Sequence, residues 1–459
     1  MQSRLLRPGL ALASVLALSA FLSAQVARNM RLLSRMPRTA CTTGDVWGLK
    51  GFMLMARRSQ GFEVVNASDP TSPKTKSIYP PGYPIASTRS YGIGDIKADH
   101  RYIYATNEGT SSGGVFIFDG VDPWNPKYLG QAGAGRGSVH NCSVDGQRGL
   151  LLTNRGDIFD VSNRTAPRLL TKLNVGFAHD VMVFDKRAYY SLWNAGIAIY
   201  DITNASSPVR LGQLRYSGAT CHSMWPTDDR KILYTTDEKA DGWMKIWDIS
   251  RLPTISYIGE WKTGPAGESI HNVQVHENLL FVTYYKAGLR VLSIKDPRKP
   301  VEIAHYDTYP STGRGCFGGP YAGCWGVYPW DLNRIFVTDL DSGGYILELN
   351  AITNTLTPKA TTVKPGNSME LDFVFRNNGG HPLDGFGLMA LASVNSAQIF
   401  WILVTDVKAL NVNQQVTHRV KIPVPVGLPN LTVGFTGMSG TVVPLILNQQ
   451  SQTKIYIKN

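Results

Sequence analysis

Four histidines open four similar apolar runs: His140 in VHNCSV, His179 in AHDVMV, His222 in CHSMWP and His271 in IHNVQV. Asp45 in GDVWG and Asp95 in GDIKA take the same place in two further runs, and Trp325 in CWGVYP takes it in a seventh. Neutral imidazole is a common ligand of divalent metals. If the runs converge, His140, His179, His222 and His271 can hold such an ion. Asp45, Asp95, Asp180 and Trp325 then complete a ligand-binding ring, with Asp180 or Glu238 as an oxygen ligand or a base. The same residues admit a structural reading, in which every run meets one backbone problem and the histidine ties neighbouring strands together. On that reading Asp237 and Glu238, in TTDEKADGW, belong to a strand end or a solvated loop.

The elements that would position these residues are repeated. GFEVVNASDPTSP, GVFIFDGVDPWNP, GDIFDVSNRTAP, GIAIYDITNASSP, GWMKIWDISRLP and GLRVLSIKDPRKP begin at residues 61, 114, 156, 196, 242 and 288, and a shorter GYILELN begins at 344. Each glycine ends a hairpin turn, and a Val-, Ile-, Phe- and Tyr-rich strand follows. An Asp or Asn then opens a polar turn that closes on Pro, because Asx side chains bond nearby backbone and Pro presets φ. Two more strands precede each glycine, such as HDVMVFD and RAYYSLW, giving four strands per unit. One such unit cannot bury both faces, whereas seven stacked radially can. The innermost strands then line a central channel, with the histidines at one mouth. The seventh unit lacks an outer strand, and Asn29–Pro37 (NMRLLSRMP) has the pattern to supply it.

These units resemble LVIVD-repeat proteins, and more closely the secreted propellers of the choice-of-anchor B family. The matching pieces include GDVWGLKGFMLMARRSQGFEVVNASDP, GDIKADHRYIYATNE, CHSMWPTDDRKILYTTDE and CWGVYPWDLNRIFVTDLDSGGYILEL. The resemblance covers roughly residues 29–350. It implies an exported propeller joined to a variable attachment module, and it implies no settled reaction.

The ends have their own grammar. Arg4 and Arg7 precede the apolar run LALASVLALSAFL, which reads as a signal peptide over residues 1–24. No later apolar run is long enough to span a membrane. Export permits disulfides. Of the five cysteines, Cys316 and Cys324 flank the Gly-rich CFGGPYAGC and are the pair expected to bridge. After the propeller (25–350), residues 351–459 offer six or seven short strands with Asn, Gly and Pro turns, the pattern of a β-sandwich.

GTSSG at 109–113 matches a nucleophile-elbow spacing but opens no helix, and GAGRG at 133–137 likewise makes no phosphate cradle. The net charge of +12 attracts anionic partners at long range. Export turns that attraction towards surface polysaccharide or an envelope protein and away from nucleic acid. Trp124 and Trp193 are candidates to stack on sugars or to pack between blades. The expectation is therefore all-β: a seven-bladed propeller followed by a C-terminal β-sandwich. It is secreted or held at the cell envelope, monomeric, and binds or scaffolds through the His-rich mouth, with a divalent metal as the one cofactor in view. A metal-assisted hydrolase or lyase at the same mouth is the alternative, and a purely structural surface protein the third reading.

Overall fold

A computed structural model describes residues 27–38, 41–81, 92–108, 113–264, 266–309 and 316–349, and downstream 352–360, 362–377, 383–392, 399–410, 415–423, 426, 431–441 and 446–457. The leader 1–24 and most of GTSSG lie outside these residues. Among the described residues there are strands and no helices, so no helix is long and apolar enough to cross a membrane.

Seven antiparallel sheets follow one another along the chain. Their innermost strands are Val46–Leu49, Ile96–Ala98, Cys142–Asp145, Asp180–Phe184, Cys221–Pro226, Val273–His276 and Cys324–Asp331. Each lies beside the next and the seventh lies beside the first, which makes a seven-bladed propeller. In blades one to five the strands run outward in sequence order, and so do four strands of the sixth sheet, whose outer edge also carries Ala27–Arg28. The seventh sheet takes its outer strand, Met30–Pro37, from the other end of the chain, next to Gly343–Leu349.

The repeated sequence explains the blade. Gly196 and Gly288 have φ of +79° and +76° at the hairpin before the third strand, a conformation that costs glycine little. The Asp that ends this strand accepts a hydrogen bond from the backbone two residues on, as in Thr203 N to Asp201 (2.7 Å) and Ser162 N to Asp160 (2.9 Å). These Asx turns hold the polar tail. Between hairpin and turn the side chains alternate with period two and are apolar on both faces. In blade four, Ala188, Tyr190, Ala198 and Tyr200 pack on Leu152 and Ile158 of blade three. Tyr189, Ile197 and Ile199 point the other way, onto Met224, Leu233 and Trp247 of blade five. Each large side chain so buried contributes about 1.5–3 kcal/mol.

A second unit contains Leu349–Asn459. Its strands form a three-stranded sheet, in the order Ile352–Pro358, Ser368–Asn377, Gln415–Pro423, and a five-stranded sheet. Pairing is antiparallel except where Thr362–Val363 runs parallel to Ile446–Ile457.

The expected Cys316–Cys324 bridge is not formed. Cys316 is bonded to Cys41, across a Cα separation of 5.2 Å and 275 residues of chain. Both halves flank one turn: Cys41 N donates to Leu340 O (2.8 Å) and Cys316 N to Asp341 (3.0 Å). Cys324 instead opens the innermost strand of blade seven, where its N–H donates to Tyr285 O (2.9 Å) and its thiol is buried with those of Cys142 and Cys221. The bridge joins the approach to blade one to the approach to blade seven, so it closes the ring a second time. We expect three thiols per chain on non-reducing denaturation, and a Cys41–Cys316 peptide in a proteolytic map. The Cys41→Ser, Cys316→Ser pair should lower stability by about 2–5 kcal/mol in urea titration. A Cys316–Cys324 peptide would refute the pairing.

Candidate functional site

The channel mouth is built by a two-residue motif at the start of the innermost strands. In Asp45, Asp95, Asn141 and Asn272 the carbonyl accepts from the second strand at Ala56, Thr106, Asn154 and Thr283 (2.9–3.0 Å). These four are therefore equivalent, and the histidines of blades three and six stand one residue earlier. This corrects the sequence reading. Asp45 and Asp95 sit one step further along the strand than His140 and His271, and Gly44 and Gly94 occupy the histidine step. The Asp/Asn layer ties blades together: Asp95 accepts from Cys142 N (3.0 Å) and Asn141 from Val181 N (3.1 Å). Blades five and seven reach the mouth differently. Register shifts at Cys221/Ser223 and Cys324/Gly326 put His222 and Trp325 on β-bulges. The extra residue stands unpaired there, shifts the pairing by one and re-aims a side chain.

The rings make a continuous arc. Successive centroids lie 4.3 Å apart for His140–His179, 4.0 Å for His179–His222, 4.3 Å for His222–His271 and 4.1 Å for His271–Trp325. Trp193 stacks on His179 at 5.2 Å, and Arg58 lies over the Trp325 and Phe317 rings at 5.3 Å from each. Trp124 packs against the core between blades one and two, with Lys76 over its ring.

Two acids meet the arc, at its first and third rings. Glu108 folds over the Gly94 position, where a Cβ would collide with it, and hydrogen-bonds His140 Nδ1. Glu238 accepts from the Tyr285 hydroxyl and lies 3.4 Å from His222 Nε2. The solvated-loop reading of Asp237 and Glu238 is thus corrected: they are 1% and 9% exposed, and Asp237 accepts from Tyr216 Oη and Thr220 N (both 2.8 Å).

Burial sets the charge state. It holds His222 and His179 well below the ordinary histidine range, helped by the neighbouring imidazoles, and lowers His271 to about 3. These three are neutral. At His140 burial acts in the same direction, but the Glu108 charge and hydrogen bond outweigh it and the net shift is upward. Burial raises Glu238 to about 7. His271 Nδ1 donates to Trp325 O (2.7 Å), which leaves Nε2 buried with no partner among the described residues. Neither ring nitrogen of His222 has a hydrogen-bond partner there. Two triplets bring ligand atoms within 4.8 Å of one another: His140, His179, His222, and the fully buried His222, Glu238, His271.

All eight sequence candidates line one small cavity of about 20 Å³: Asp45, Asp95, His140, His179, Asp180, His222, His271 and Trp325. That is room for a single water or ion. A second cavity of about 30 Å³ follows along the channel, lined by Asp45, Trp47, Lys97, Asn141, Asp180 and Asn272 among others. Glu108, Lys97, Arg58 and Tyr285 escaped the sequence reading. Glu108 had a signal, since ATNE and TTDE end equivalent second strands and place Glu108 and Glu238 alike.

The LVIVD repeat family model matches residues 175–214 and 267–308, which span blades four and six. No curated protein matches the sequence. Among solved structures, the chain is similar to the WD40 repeats of RRP9, at 8% identity and a TM-score of 0.51, over 69% of this chain and 96% of that one. At that identity the likeness is one of fold.

Deeper in the channel, Lys97 is a cation among three carboxylates. Its Nζ pairs with Asp95 and with Asp45 (3.2 Å) and lies over the Trp47 ring at 5.0 Å. Burial opposes its charge, but Asp95, Asp45 and Asp180 outweigh burial and hold it protonated. Asp180 also faces Asp95 and Asp45, and burial raises its pKa from 3.8 to about 7 despite Lys97. A carboxyl raised on folding keeps a proton that the unfolded chain has lost, so stability falls as pH rises between about 4 and 7. Removing Lys97 strengthens that trend. Lys97→Met should cost about 3 kcal/mol at pH 8 and distinctly less at pH 5, where the stranded carboxylates can protonate. Equal costs in urea melts at the two pH values would show that Lys97 acts by packing alone.

Proposed function

We propose that this chain is an exported binding propeller, working outside the cell or at its envelope, which holds a divalent transition-metal ion at the histidine mouth of its channel. One observation carries the reading: His222 is buried and neutral, and neither of its ring nitrogens has a hydrogen-bond partner among the described residues. A buried polar atom left unpaired costs about 1–3 kcal/mol. His271 Nε2 adds a second, and the Glu238 carboxylate lies beside His222. Two imidazoles and a carboxylate suit zinc and its first-row neighbours. His271 Nδ1 donating to a carbonyl is the outer contact that fixes a ligating ring. His222, Glu238 and His271 are the inner ligands on this reading, with His179 next to them in the arc.

The small mouth cavity favours binding over hydrolysis. It accommodates an ion and leaves no space for a substrate carbonyl or a leaving group beside it. The leader and the Cys41–Cys316 bridge support an oxidising, exported setting. The two C-terminal sheets then form a β-sandwich that attaches the propeller to a surface polysaccharide or an envelope protein.

The test is metal content of the purified mature protein by elemental mass spectrometry, beside a His179→Ala, His222→Ala variant and Glu238→Gln. We expect close to one equivalent in the native chain, less than about a tenth of that in the double variant, and a zinc-dependent rise in thermal midpoint only where metal binds. A native protein that takes up no zinc, cobalt or nickel and shows no shift in midpoint would leave the histidines as blade-to-blade packing and sink the proposal.

A further inference from the structure

His140 has two sides. One faces the small mouth cavity, and the other lines an open cleft of about 680 Å³ between blades three and four. The rest of the cleft is Ser138, Asn154 and Arg155 from blade three and the segment Lys172–Ala178 that leads into blade four. Its size falls in the ~300–1,000 Å³ range of small-molecule sites. Three features describe what would fill it. Arg155 and Lys172 both line the cleft, and no Asp or Glu does. Arg155 is held by Ser138 O (Nη1, 3.4 Å), while its Nε is buried without a partner among the described residues. Phe177 stands 68% exposed at the edge, braced at right angles by Trp193 (6.4 Å), so an aromatic face meets solvent beside the two cations. Asn174 is exposed on the same segment and offers an amide to hydroxyl groups.

We infer that this cleft binds an acidic saccharide end, with the sugar's carboxylate or sulfate on Arg155 and Lys172 and its C–H face on Phe177. An anion is favoured because the cleft carries positive charge with no acid to neutralise it. Guanidinium pairs with carboxylate and sulfate through charge-assisted hydrogen bonds. A saccharide is favoured over a bare inorganic anion because the aromatic face and the amide would otherwise have nothing to contact. The inference rests on the binding reading of the propeller and is independent of the metal, since neither Arg155, Lys172 nor Phe177 belongs to the histidine arc.

The experiment is calorimetric titration of the full mature chain with a glucuronate-terminated disaccharide, its neutral glucose-terminated counterpart and sodium sulfate. Arg155→Gln, Lys172→Gln, Phe177→Ala and His222→Ala are run in parallel, and thermal midpoints check folding. We expect the acidic disaccharide to bind at least about tenfold more tightly than the neutral one, as loss of a charge-assisted pair implies. Arg155→Gln and Lys172→Gln should each weaken it severalfold or more, with Phe177→Ala also weaker and metal content unchanged in all three. His222→Ala should lose metal and keep the sugar. Equal binding of acidic and neutral sugars, sulfate binding as well as the disaccharide, or no acidic-sugar binding by the native chain would each overturn the inference. So would sugar binding that is lost with His222 and kept without Arg155. If Arg155→Gln misfolds, the exposed Lys172→Gln and Phe177→Ala still decide.

Discussion

A blade with two apolar faces is stable only between two other blades. Tyr190 and Tyr200 look towards blade three, Tyr189 and Ile199 towards blade five, and all four are buried by that arrangement and by no other. Hydrophobic burial therefore demands closure, because an open row would leave two such faces in water. The chain closes twice over, by the strand Met30–Pro37 in the seventh sheet and by the Cys41–Cys316 bond. Everything at the channel mouth follows. Seven innermost strands are brought to one axis, and whatever the sequence writes at their first residues must meet there.

Meeting at an axis is costly for polar residues, and the two layers deal with it differently. In the Asp/Asn layer the side chains are used up: Asp95 and Asn141 accept from the next blade's backbone, and Lys97 neutralises part of what remains. In the histidine layer they are used only in part: His140 Nδ1 meets Glu108 and His271 Nδ1 meets Trp325 O, while both ring nitrogens of His222 and Nε2 of His271 have no partner among the described residues. The His179, His222 and His271 rings lean on one another at a tilt, with successive centroids 4.0 and 4.3 Å apart, and the desolvation this entails keeps these three neutral. Neutral imidazole nitrogens that blade-to-blade bonding leaves over, as at His222 and His271 Nε2, are good ligands. A ring used only for packing would be served as well by Phe or Leu at no polar cost.

Local chemistry was legible and distant chemistry was not. The glycine, the β-branched strand and the Asx turn are each set within a few residues, so six full copies and a shorter seventh announce seven blades. The histidines were found for the same reason. The one-step offset of Asp45 and Asp95 was also in the sequence, since GDV and GDI align with HNC and HNV on their second letter. By contrast, the bulges at His222 and Trp325 depend on how the second strand pairs, and no residue pattern marks them. The disulfide depends on which two loops meet when the ring closes. A nine-residue Cys316–Cys324 loop looked ready to be stapled, yet strand pairing claims Cys324 and leaves Cys316 beside Cys41.

The glycines at the histidine step of blades one and two then have a reason beyond backbone freedom. A side chain at Gly94 would strike Glu108, which reaches across to His140. The vacancy in one blade is what lets an acid from that blade reach the imidazole of the next. At the middle of the arc Tyr285 holds Glu238 towards His222. The mouth is therefore asymmetric although the fold is cyclic. One acid meets the first ring and another the third, and the run ends on Trp325 under the Arg58 guanidinium. A ring that served only to tie equivalent blades together would have no need of that polarity. A bound cation does need it, because it requires lone pairs at its centre, negative charge at the edges and a wall where water must not enter.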